Sequence, residues 1–358
     1  MSKAYKNLKA IGVVAGAVAV FILLSYAQVA RAQEDSKTGF QPVPESLTGY
    51  EQALGRQDAC PTSLFYCQAD GIIVNEPVVN SGTVGQASCQ YFEINGRTVE
   101  QASCLSQVWA CVKGPGGEIN VYPLEVKDGC FTQKIWLRYG PGTYSVWVDS
   151  NPEKYSGRIY FTVTGQESCP AEDLAFLTPS GYVNSDNPEI IALAQSITAG
   201  LQTSTAGQDC KAGEPAQSLS TAQAIHDWVA QNMSYDYALY LTGNHSGVNS
   251  SRTILNTRTG LCRDYAFLVA ALGRAAGLKT RVVYGQAKVG QPSRLTNENW
   301  ISHAWNEVYL DGKWVALDTC WDSGYIKDNL FVKSPGRKFF AFETGPGTNH
   351  LVENISLD

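Results

Sequence analysis

The chain has 358 residues, a length typical of two domains. Its 33 acidic residues outnumber 27 Lys and Arg, and the formal charge of −6 argues against nucleic-acid partners. Only 17% of the residues are charged and 11% are aromatic, which argues against coiled coils and long disordered segments and favours β-rich structure. Four histidines leave little material for a histidine metal site, so we expect neither a metal nor another cofactor.

Residues 1–32 have the pattern of an export signal. Three lysines precede the apolar stretch Ala10–Leu24, and Ala30-Arg31-Ala32 offers small residues at the two positions that a signal peptidase reads. No charge interrupts Ala10–Ala30, so the alternative is an uncleaved segment that anchors the protein in a membrane. Both interpretations predict that the rest of the chain lies outside the cytoplasm, secreted or anchored at a membrane.

Cysteine usage agrees with export. An oxidising compartment would pair most of the cysteines, although the sequence does not define the connectivity. No Cys-x-x-Cys motif occurs, which argues against a thioredoxin-like redox site and against a zinc ribbon. The ten cysteines are Cys60, Cys67, Cys89, Cys104, Cys111, Cys130, Cys169, Cys210, Cys262 and Cys320.

The first domain is predicted to be an antiparallel β-sandwich stapled by disulfides. Residues 33–57 are polar and proline-containing and form the linker that precedes it, and the domain itself covers 58–168. Short strand-like segments alternate there with glycine- and proline-rich turns. The predicted strands are Gly71–Val74, Gln107–Ala110, Lys134–Leu137, Thr143–Val148 and Arg158–Val163.

Residues 169–358 are predicted to form an α+β domain with the helices first and an antiparallel sheet after them. Apolar residues at helical spacing predict helices that begin at Pro188 and at Ser220. A third helix is predicted over Cys262–Ala276, and Gly277 ends it. The predicted strands are Thr280–Gly285, Ala304–Leu310 and Lys313–Asp318.

Cys262 is the candidate nucleophile. It follows Gly260-Leu261 at the predicted start of a helix, where exposed backbone N–H groups stabilise a thiolate and can hold a developing oxyanion. A nucleophilic thiol also needs a base. Of the four histidines, only His303 begins a predicted strand, in Ser302-His303-Ala304-Trp305-Asn306. The alternative for Cys262 is a structural disulfide cysteine.

A predicted hairpin brings an aspartate to His303. Asp311-Gly312 is a strong two-residue turn signal, and it places Leu310 opposite Lys313. In this register Asp318 lies opposite Trp305, two residues from His303 on the same face, within side-chain reach of the imidazole. Asp318 can therefore orient His303, as in a Cys-His-Asp set. The same register places Cys320 directly opposite His303 unless a bulge intervenes.

Three segments in this order resemble the transglutaminase-like superfamily. They are Thr-Gly-Leu-Cys-Arg-Asp-Tyr-Ala at 259–266, Ser-His-Ala-Trp-Asn-Glu-Val at 302–308 and Trp-Val-Ala-Leu-Asp-Thr at 314–319. The resemblance covers roughly residues 175–325 and suggests a bacterial-type secreted member without the calcium loop of animal transglutaminases. It implies a papain-like α+β core.

The resemblance also assigns roles. It implies Cys262 as nucleophile, His303 as general base and acid, and Asp318 as the residue that orients the imidazole. Tyr235, in Met-Ser-Tyr-Asp, resembles the position of the family's side-chain donor to the oxyanion hole, although a core or surface tyrosine is the alternative. Cys320 departs from the pattern that follows the aspartate in relatives.

These observations predict a thiol acyl-transfer enzyme that acts on carboxamide or amide groups of a protein or peptide through an acyl-enzyme. An amine acceptor would give an isopeptide crosslink, and water would give deamidation or proteolysis, so a cysteine peptidase or amidase with the same triad stays open. A non-catalytic surface binding protein is the alternative from another class. Cys320 is predicted to border the site and to form a reversible disulfide with Cys262, or else to be a small buried hydrophobic residue.

Overall fold

The computed structural model describes most of the chain from Phe65 onward. The predicted export signal, the linker at 33–57 and Cys60, Cys169 and Cys210 lie outside the described residues. Among the helices that the structure describes, none combines the length and the apolar character needed to cross a bilayer. The described ranges are 65–75, 77–84, 87–99, 104–151, 157–166, 174–199, 201, 215–243, 247–290 and 299–358.

The first half of the described chain is an antiparallel β-sandwich, which confirms the predicted class. One sheet has the strand order β1-β10-β9-β6-β7, and the other has β2-β3-β5-β4 with β8 paired to β5. Buried side chains of both sheets, such as Phe92, Ile94, Val146 and Phe161, form one core between them. The strands are β1 Phe65–Tyr66, β2 Gln68–Ala69, β3 Ile72–Val74, β4 Val79–Val84, β5 Ala87–Thr98, β6 Gln107–Lys113, β7 Ile119–Glu125, β8 Cys130–Trp136, β9 Gly142–Asp149 and β10 Tyr160–Gly165.

The predicted disulfide staples are not found at the cysteines of this sandwich for which the structure shows free thiols, namely Cys67, Cys104, Cys111 and Cys130. Cys111 lies buried in β6, and burial raises the pKa of its thiol to about 12. The continuous apolar core and the paired strands hold the two sheets together at these positions instead.

The second half is an α+β domain, as predicted. Its main sheet is antiparallel, with strand order β18-β15-β14-β13-β19, and the nearly fully buried helix α5 packs against it. The helices are α1 Pro188–Thr198, α2 Pro215–Asn232, α3 Tyr237–Thr242, α4 Ser251–Thr257 and α5 Cys262–Ala275. The strands are β11 Ser234–Tyr235, β12 Thr259–Gly260, β13 Thr280–Lys288, β14 Trp300–Leu310, β15 Lys313–Leu317, β16 Gly324–Lys327, β17 Leu330–Lys333, β18 Phe340–Phe342 and β19 His350–Ile355.

Local signals explain where the helices begin and end. Helix α1 begins at Pro188 as predicted, because the Asn187 side chain accepts the N–H groups of the first turn. Helix α2 begins at Pro215 rather than at the predicted Ser220. Helix α5 begins at Cys262, and Gly277 leaves its far end with φ 81°, a conformation that favours glycine.

The predicted hairpin register is confirmed. Leu310 pairs with Lys313 and Asn306 with Leu317, around a turn in which Asp311 and Gly312 have φ angles of 50° and 80°. Strand β15 ends at Leu317, and the N–H of Asp318 donates to the carbonyl of Phe339 on the side of β18.

The predicted pairing of Cys320 with His303 is therefore wrong. Past Asp318 the chain leaves the sheet and enters a short 3-10 turn over Trp321–Ser323. The backbone of Cys320 is helical there, with φ −65° and ψ −49°, and its carbonyl accepts from Ser323. Cys320 is therefore not in an extended conformation and does not pair with His303.

The two faces of the main sheet pack against different groups of side chains. Ala304, Val308 and Leu310 of β14 belong to the core that the sheet shares with the helices. Trp305 lies on the opposite face, where it packs in a separate cluster with Val283, Ala316 and Phe342. His303 follows the parity of Trp305, so the imidazole lies at the same face as this aromatic cluster.

Candidate active site

Cys262 is the first residue of α5, and local contacts define that start. The Leu261 backbone is extended, with φ −90° and ψ 178°, and its N–H donates to Asp264 Oδ2 at 2.8 Å. A Cβ at Gly260 would lie 2.5 Å from that same oxygen, so only glycine allows the carboxylate to reach back. The half-buried thiol consequently lies at the positive end of a long helix dipole, where a negative charge is favoured.

His303 links the thiol to a carboxylate. Its Nε2 lies 2.8 Å from Asp318 Oδ2, and its side chain is only 3% exposed. Cys262 is a further neighbour of the imidazole. Burial alone would lower the pKa of His303, but the charge and hydrogen bond of Asp318, together with Cys262, outweigh it and raise that pKa to about 10. The imidazole is therefore protonated at neutral pH.

Asp318 is a fully engaged carboxylate. Besides His303, its Oδ2 lies 3.2 Å from His350 Nε2, and its Oδ1 accepts the backbone N–H of Trp321 at 3.1 Å. Burial alone would raise the pKa of Asp318, but the two histidines, through charge and hydrogen bonds, hold it well below its usual range. Asp318 is therefore ionised across the physiological pH range.

A buried amide couples the helix of the thiol to the strand of the imidazole. Asn306 is 1% exposed, and its Nδ2 donates to the carbonyl of Ala266, one helical turn into α5, at 2.9 Å. Because Asn306 lies on β14 only three residues after His303, this bond fixes the distance between the start of α5 and the strand. The motif residues of the two segments thus meet through backbone and side-chain contacts.

Tyr235 lies beside the nucleophile. Strand β11 runs parallel to β12, and Tyr235 pairs with Gly260, two residues before Cys262. Burial, and then the neighbouring thiols of Cys262 and Cys320, raise the pKa of Tyr235 well above its usual value, so the phenol keeps its proton. Its place next to Cys262 agrees with the predicted one, and its role as an oxyanion donor stays a prediction.

Cys320 also lies close to the site. It is 6% exposed and carries a free thiol in the core shared by the helices and the sheet, against which Cys262 packs. Burial, followed by the charges of Asp318 and Cys262, raises the pKa of Cys320 well above its usual value. The residue is thus a buried neighbour of the nucleophile, and its predicted disulfide with Cys262 stays a prediction.

His350 is the residue that sequence reasoning missed. It lies on β19, and its separation of 32 positions from Asp318 hides their contact from any local pattern. The available signals were the scarcity of histidine and a short apolar run, His350-Leu351-Val352, after a glycine-rich turn.

His350 also completes a set of side chains with metal-ligand chemistry. In the described part of the chain, the one such cluster comprises His303, Asp318 and His350, whose ligand atoms lie within 4.8 Å of one another. The Nε2 atoms of His303 and His350 both lie at hydrogen-bond distance from the same oxygen of Asp318. The three side chains therefore contact one another directly.

One part of the chain is similar to a known family. Residues 204–319 match the family model described as the transglutaminase-like superfamily. This segment resembles a transglutaminase-like core. It contains Cys262, His303 and Asp318, and it begins upstream of Tyr235.

Individual relatives match short parts of this chain. The human kyphoscoliosis peptidase is 31% identical over 109 residues, which are 30% of this chain and 16% of the relative. A peptide-N(4)-(N-acetyl-beta-glucosaminyl)asparagine amidase of Caenorhabditis elegans is 28% identical over 107 residues, 29% of this chain and 15% of the relative. The chain thus spans about a sixth of the length of the curated relatives it matches.

Among solved structures, a candidate cysteine protease from Cytophaga hutchinsonii superposes with a TM-score of 0.32 at 17% identity, covering 72% of this chain and 70% of that one. A TM-score of this size denotes a slight overall likeness.

Proposed function

We propose that this chain is a thiol-dependent acyl-transfer enzyme that acts on amide or carboxamide groups of a protein or peptide. Cys262 is the nucleophile, His303 is the general base and acid, and Asp318 orients His303. The observation that carries this proposal is the 2.8 Å hydrogen bond between His303 and Asp318, with Cys262 beside the imidazole at the start of α5. A nucleophile, a base and an orienting group in hydrogen-bond contact are what covalent acyl transfer requires.

The protonation states support a charged resting pair. Because the pKa of His303 is about 10, the imidazole is an imidazolium at neutral pH, and the proton it holds is available for the leaving group. Its charge and the start of α5 both stabilise negative charge that develops on the Cys262 sulfur. Asp318 stays ionised beside the imidazolium and compensates its charge.

The reaction then follows from these positions. The Cys262 sulfur attacks the carbonyl carbon, a C–S bond forms, and the negative charge moves to the carbonyl oxygen. In this proposal, backbone N–H groups at the start of α5 and the phenol of Tyr235 donate hydrogen bonds to that oxyanion. His303 gives its proton to the departing nitrogen, the C–N bond breaks, and an acyl-enzyme remains. Water or an amine attacks it after losing a proton to His303, and the thiolate returns.

The names of the relatives support amide substrates. They are a peptidase and an amidase, and both names describe cleavage of an amide C–N bond. Because the matched segments are small parts of those proteins, the proposal takes from them only the bond class and a protein or peptide substrate.

The proposed enzyme works outside the cytoplasm. Support comes from the sequence of residues 1–32, where lysines, an apolar stretch and an Ala-x-Ala site follow one another. Expression of the full chain in a host that secretes, followed by sequencing of the mature N-terminus, tests this location. A new N-terminus after Ala32 supports secretion, full-length protein in the membrane fraction supports the anchor, and intact protein in the cytosol contradicts both.

Selective alkylation tests the activated thiol. Iodoacetamide at pH 6 followed by peptide mass mapping should label Cys262 at least about tenfold faster than ordinary thiols, because only thiolates react. Cys104 and Cys130 are exposed free thiols in the same molecule and serve as internal controls. Replacement of His303 with Ala should abolish the difference. Equal labelling of all three cysteines in the wild type would contradict the proposal.

A substrate assay then separates the outcomes of the acyl-enzyme. Incubation with a glutamine-rich protein and a fluorescent primary amine gives three readouts: amine incorporation, ammonia release, and new chain termini. Incorporation with ammonia indicates transfer, ammonia alone indicates deamidation, and new termini indicate proteolysis. All three should vanish in Cys262→Ala. If Cys262 is labelled selectively but no amide is converted, the proposed class of substrate is wrong.

A further inference from the structure

A second histidine touches the carboxylate of the triad. His350 is fully buried at the start of β19, the strand that borders β13 at the edge of the main sheet. A tight turn holds its backbone, since the His350 carbonyl accepts from Gly345 N–H at 2.8 Å and from Thr348 Oγ1 at 2.9 Å. The position of the ring is thus defined by a rigid turn and by strand pairing, both independent of the triad.

The imidazole of His350 meets Asp318 on the same oxygen as His303. Asp318 Oδ2 lies 2.8 Å from His303 Nε2 and 3.2 Å from His350 Nε2. An ionised carboxylate only accepts hydrogen bonds, so Nε2 of each ring carries the proton. With the N–H of Trp321 on Oδ1, three donors converge on this carboxylate and restrict its rotation.

Aromatic rings surround the other side of the His350 ring. The rings of Trp321 and Phe342 lie 4.7 and 4.6 Å from it, and Trp305 and Phe339 lie 5.0 and 5.7 Å away. Among the described residues, none forms a hydrogen bond with its buried Nδ1. A proton on Nδ1 would be a buried donor without an acceptor, so this geometry favours the proton on Nε2, which faces Asp318.

We infer that His350 is a positioning residue of the proposed acyl-transfer site: it donates Nε2–H to Asp318 and so holds the carboxylate in the orientation that His303 requires. This inference rests on the proposed function of the triad. Asp318 is 1% exposed, and among the described residues its side chain accepts from the two imidazoles and one backbone N–H. In the same part of the chain, the titratable groups that contact the His350 ring are Asp318 and His303.

A pair of substitutions separates donation from packing. His350→Phe keeps an aromatic ring of similar size in the cluster but removes the donor, and kcat should fall about 10- to 100-fold with KM unchanged. His350→Gln restores an N–H donor near the same place and should recover most of kcat. Full kcat in the Phe variant, or equal impairment of both variants together with lower thermal stability, would overturn the inference.

Nuclear magnetic resonance of wild-type protein with ¹⁵N-labelled histidine tests the same point without turnover. The four histidines give few signals, and the His350 ring should appear as the Nε2–H tautomer with a downfield, slowly exchanging proton. That proton should be missing in His350→Phe, and the His303 Nε2–H signal should shift. A Nδ1–H tautomer for His350 overturns the inference even if the enzyme assay or the variants fail. Absence of any amide turnover in wild type, with the predicted signals present, is evidence against the proposed function and leaves the hydrogen bond established.

Discussion

His303 and His226 are two buried imidazoles that share one local arrangement. Each presents Nε2 to a carboxylate oxygen, His303 at 2.8 Å from Asp318 and His226 at 3.0 Å from Asp322. They differ in what faces the second ring nitrogen. For His303 the remaining partner is the thiol of Cys262, whereas the Nδ1 of His226 lies 3.3 Å from the carboxylate of the adjacent Asp227.

The surroundings of His226 make it a structural clamp. Asp322 accepts the backbone N–H groups of Lys338 and Phe339 at 2.9 and 2.8 Å, and Asp227 forms an ion pair with Arg337. These contacts fasten the segment at 337–339 to helix α2. That segment also supplies the carbonyl of Phe339, which accepts the N–H of Asp318. The role of a His-Asp pair therefore depends on the group at the second ring nitrogen. A thiol there suits catalysis, and a second carboxylate suits a structural role.

The largest expected effect concerns the thiol itself. Cys262→Ala should reduce amide turnover by at least about 10⁴-fold, because nucleophile and base act as a unit, and His303→Ala should give a similar loss. The far-ultraviolet circular dichroism of both variants should match that of the wild type, since neither residue is central to the core. Residual turnover above about 1% of wild type in Cys262→Ala would remove the thiol mechanism.

Asp318→Asn should sharpen the role of the third member. The amide keeps the shape of the side chain but lacks the negative charge that holds His303 protonated and oriented, so kcat should fall about 10²- to 10⁴-fold. The loss of stability should be smaller in proportion, with native circular dichroism retained. A variant that keeps wild-type kcat would show that Asp318 serves only to terminate β15.

The matched change in the other pair should act on stability. His226→Ala removes the buried partner of Asp322, and we expect the free energy of unfolding to fall by about 2–4 kcal/mol. Urea unfolding followed by circular dichroism measures it. In the protein that stays folded, the alkylation rate of Cys262 should match that of the wild type. A folded His226→Ala variant with an unreactive Cys262 would contradict the division into a chemical and a structural pair.

The smallest effect is a pH dependence. Since the folded-state pKa of His303 is about 10, above the unfolded value of about 6.5, its stabilising interaction with Asp318 is fully present below pH 6.5 and is lost as pH rises through about 10. The His303 ring signals should therefore titrate near pH 10 in the wild type and at lower pH in Asp318→Asn. A midpoint near 6.5 in the wild type would contradict the charged resting pair.

The parts of the site that were predictable depend on short-range chemistry. Asn187 and Pro188 start α1, Asp311-Gly312 defines the β14–β15 register, and the Gly-Leu-Cys sequence begins α5. Each involves backbone conformations set by a few neighbouring residues. For the same reason the contact of Asp318 with His303 could be expected from the hairpin, although their catalytic roles stay predictions.

Predictions from the sequence were wrong where contacts with distant segments determine the structure. Cys320 was expected opposite His303, but the chain leaves the sheet after Asp318 and enters the turn over Trp321–Ser323. Disulfide staples were expected from the cysteine count, yet Cys67, Cys104, Cys111 and Cys130 are free thiols in a sandwich held by its core. The cysteine count shows how many disulfides are possible, whereas the positions of the Cβ atoms in the fold decide which cysteines can be joined.

By itself the sequence determined the α+β class, the sandwich before it, and the order and facing of Cys262, His303 and Asp318, because periodicity and turn chemistry act over a few residues. Only the tertiary structure decided that Tyr235 reaches Cys262 through a parallel pairing, and that His350 closes on Asp318 from an edge strand. Such contacts join segments separated by tens of residues. Their formation depends on burial of the whole sheet and its helices, which no local pattern specifies.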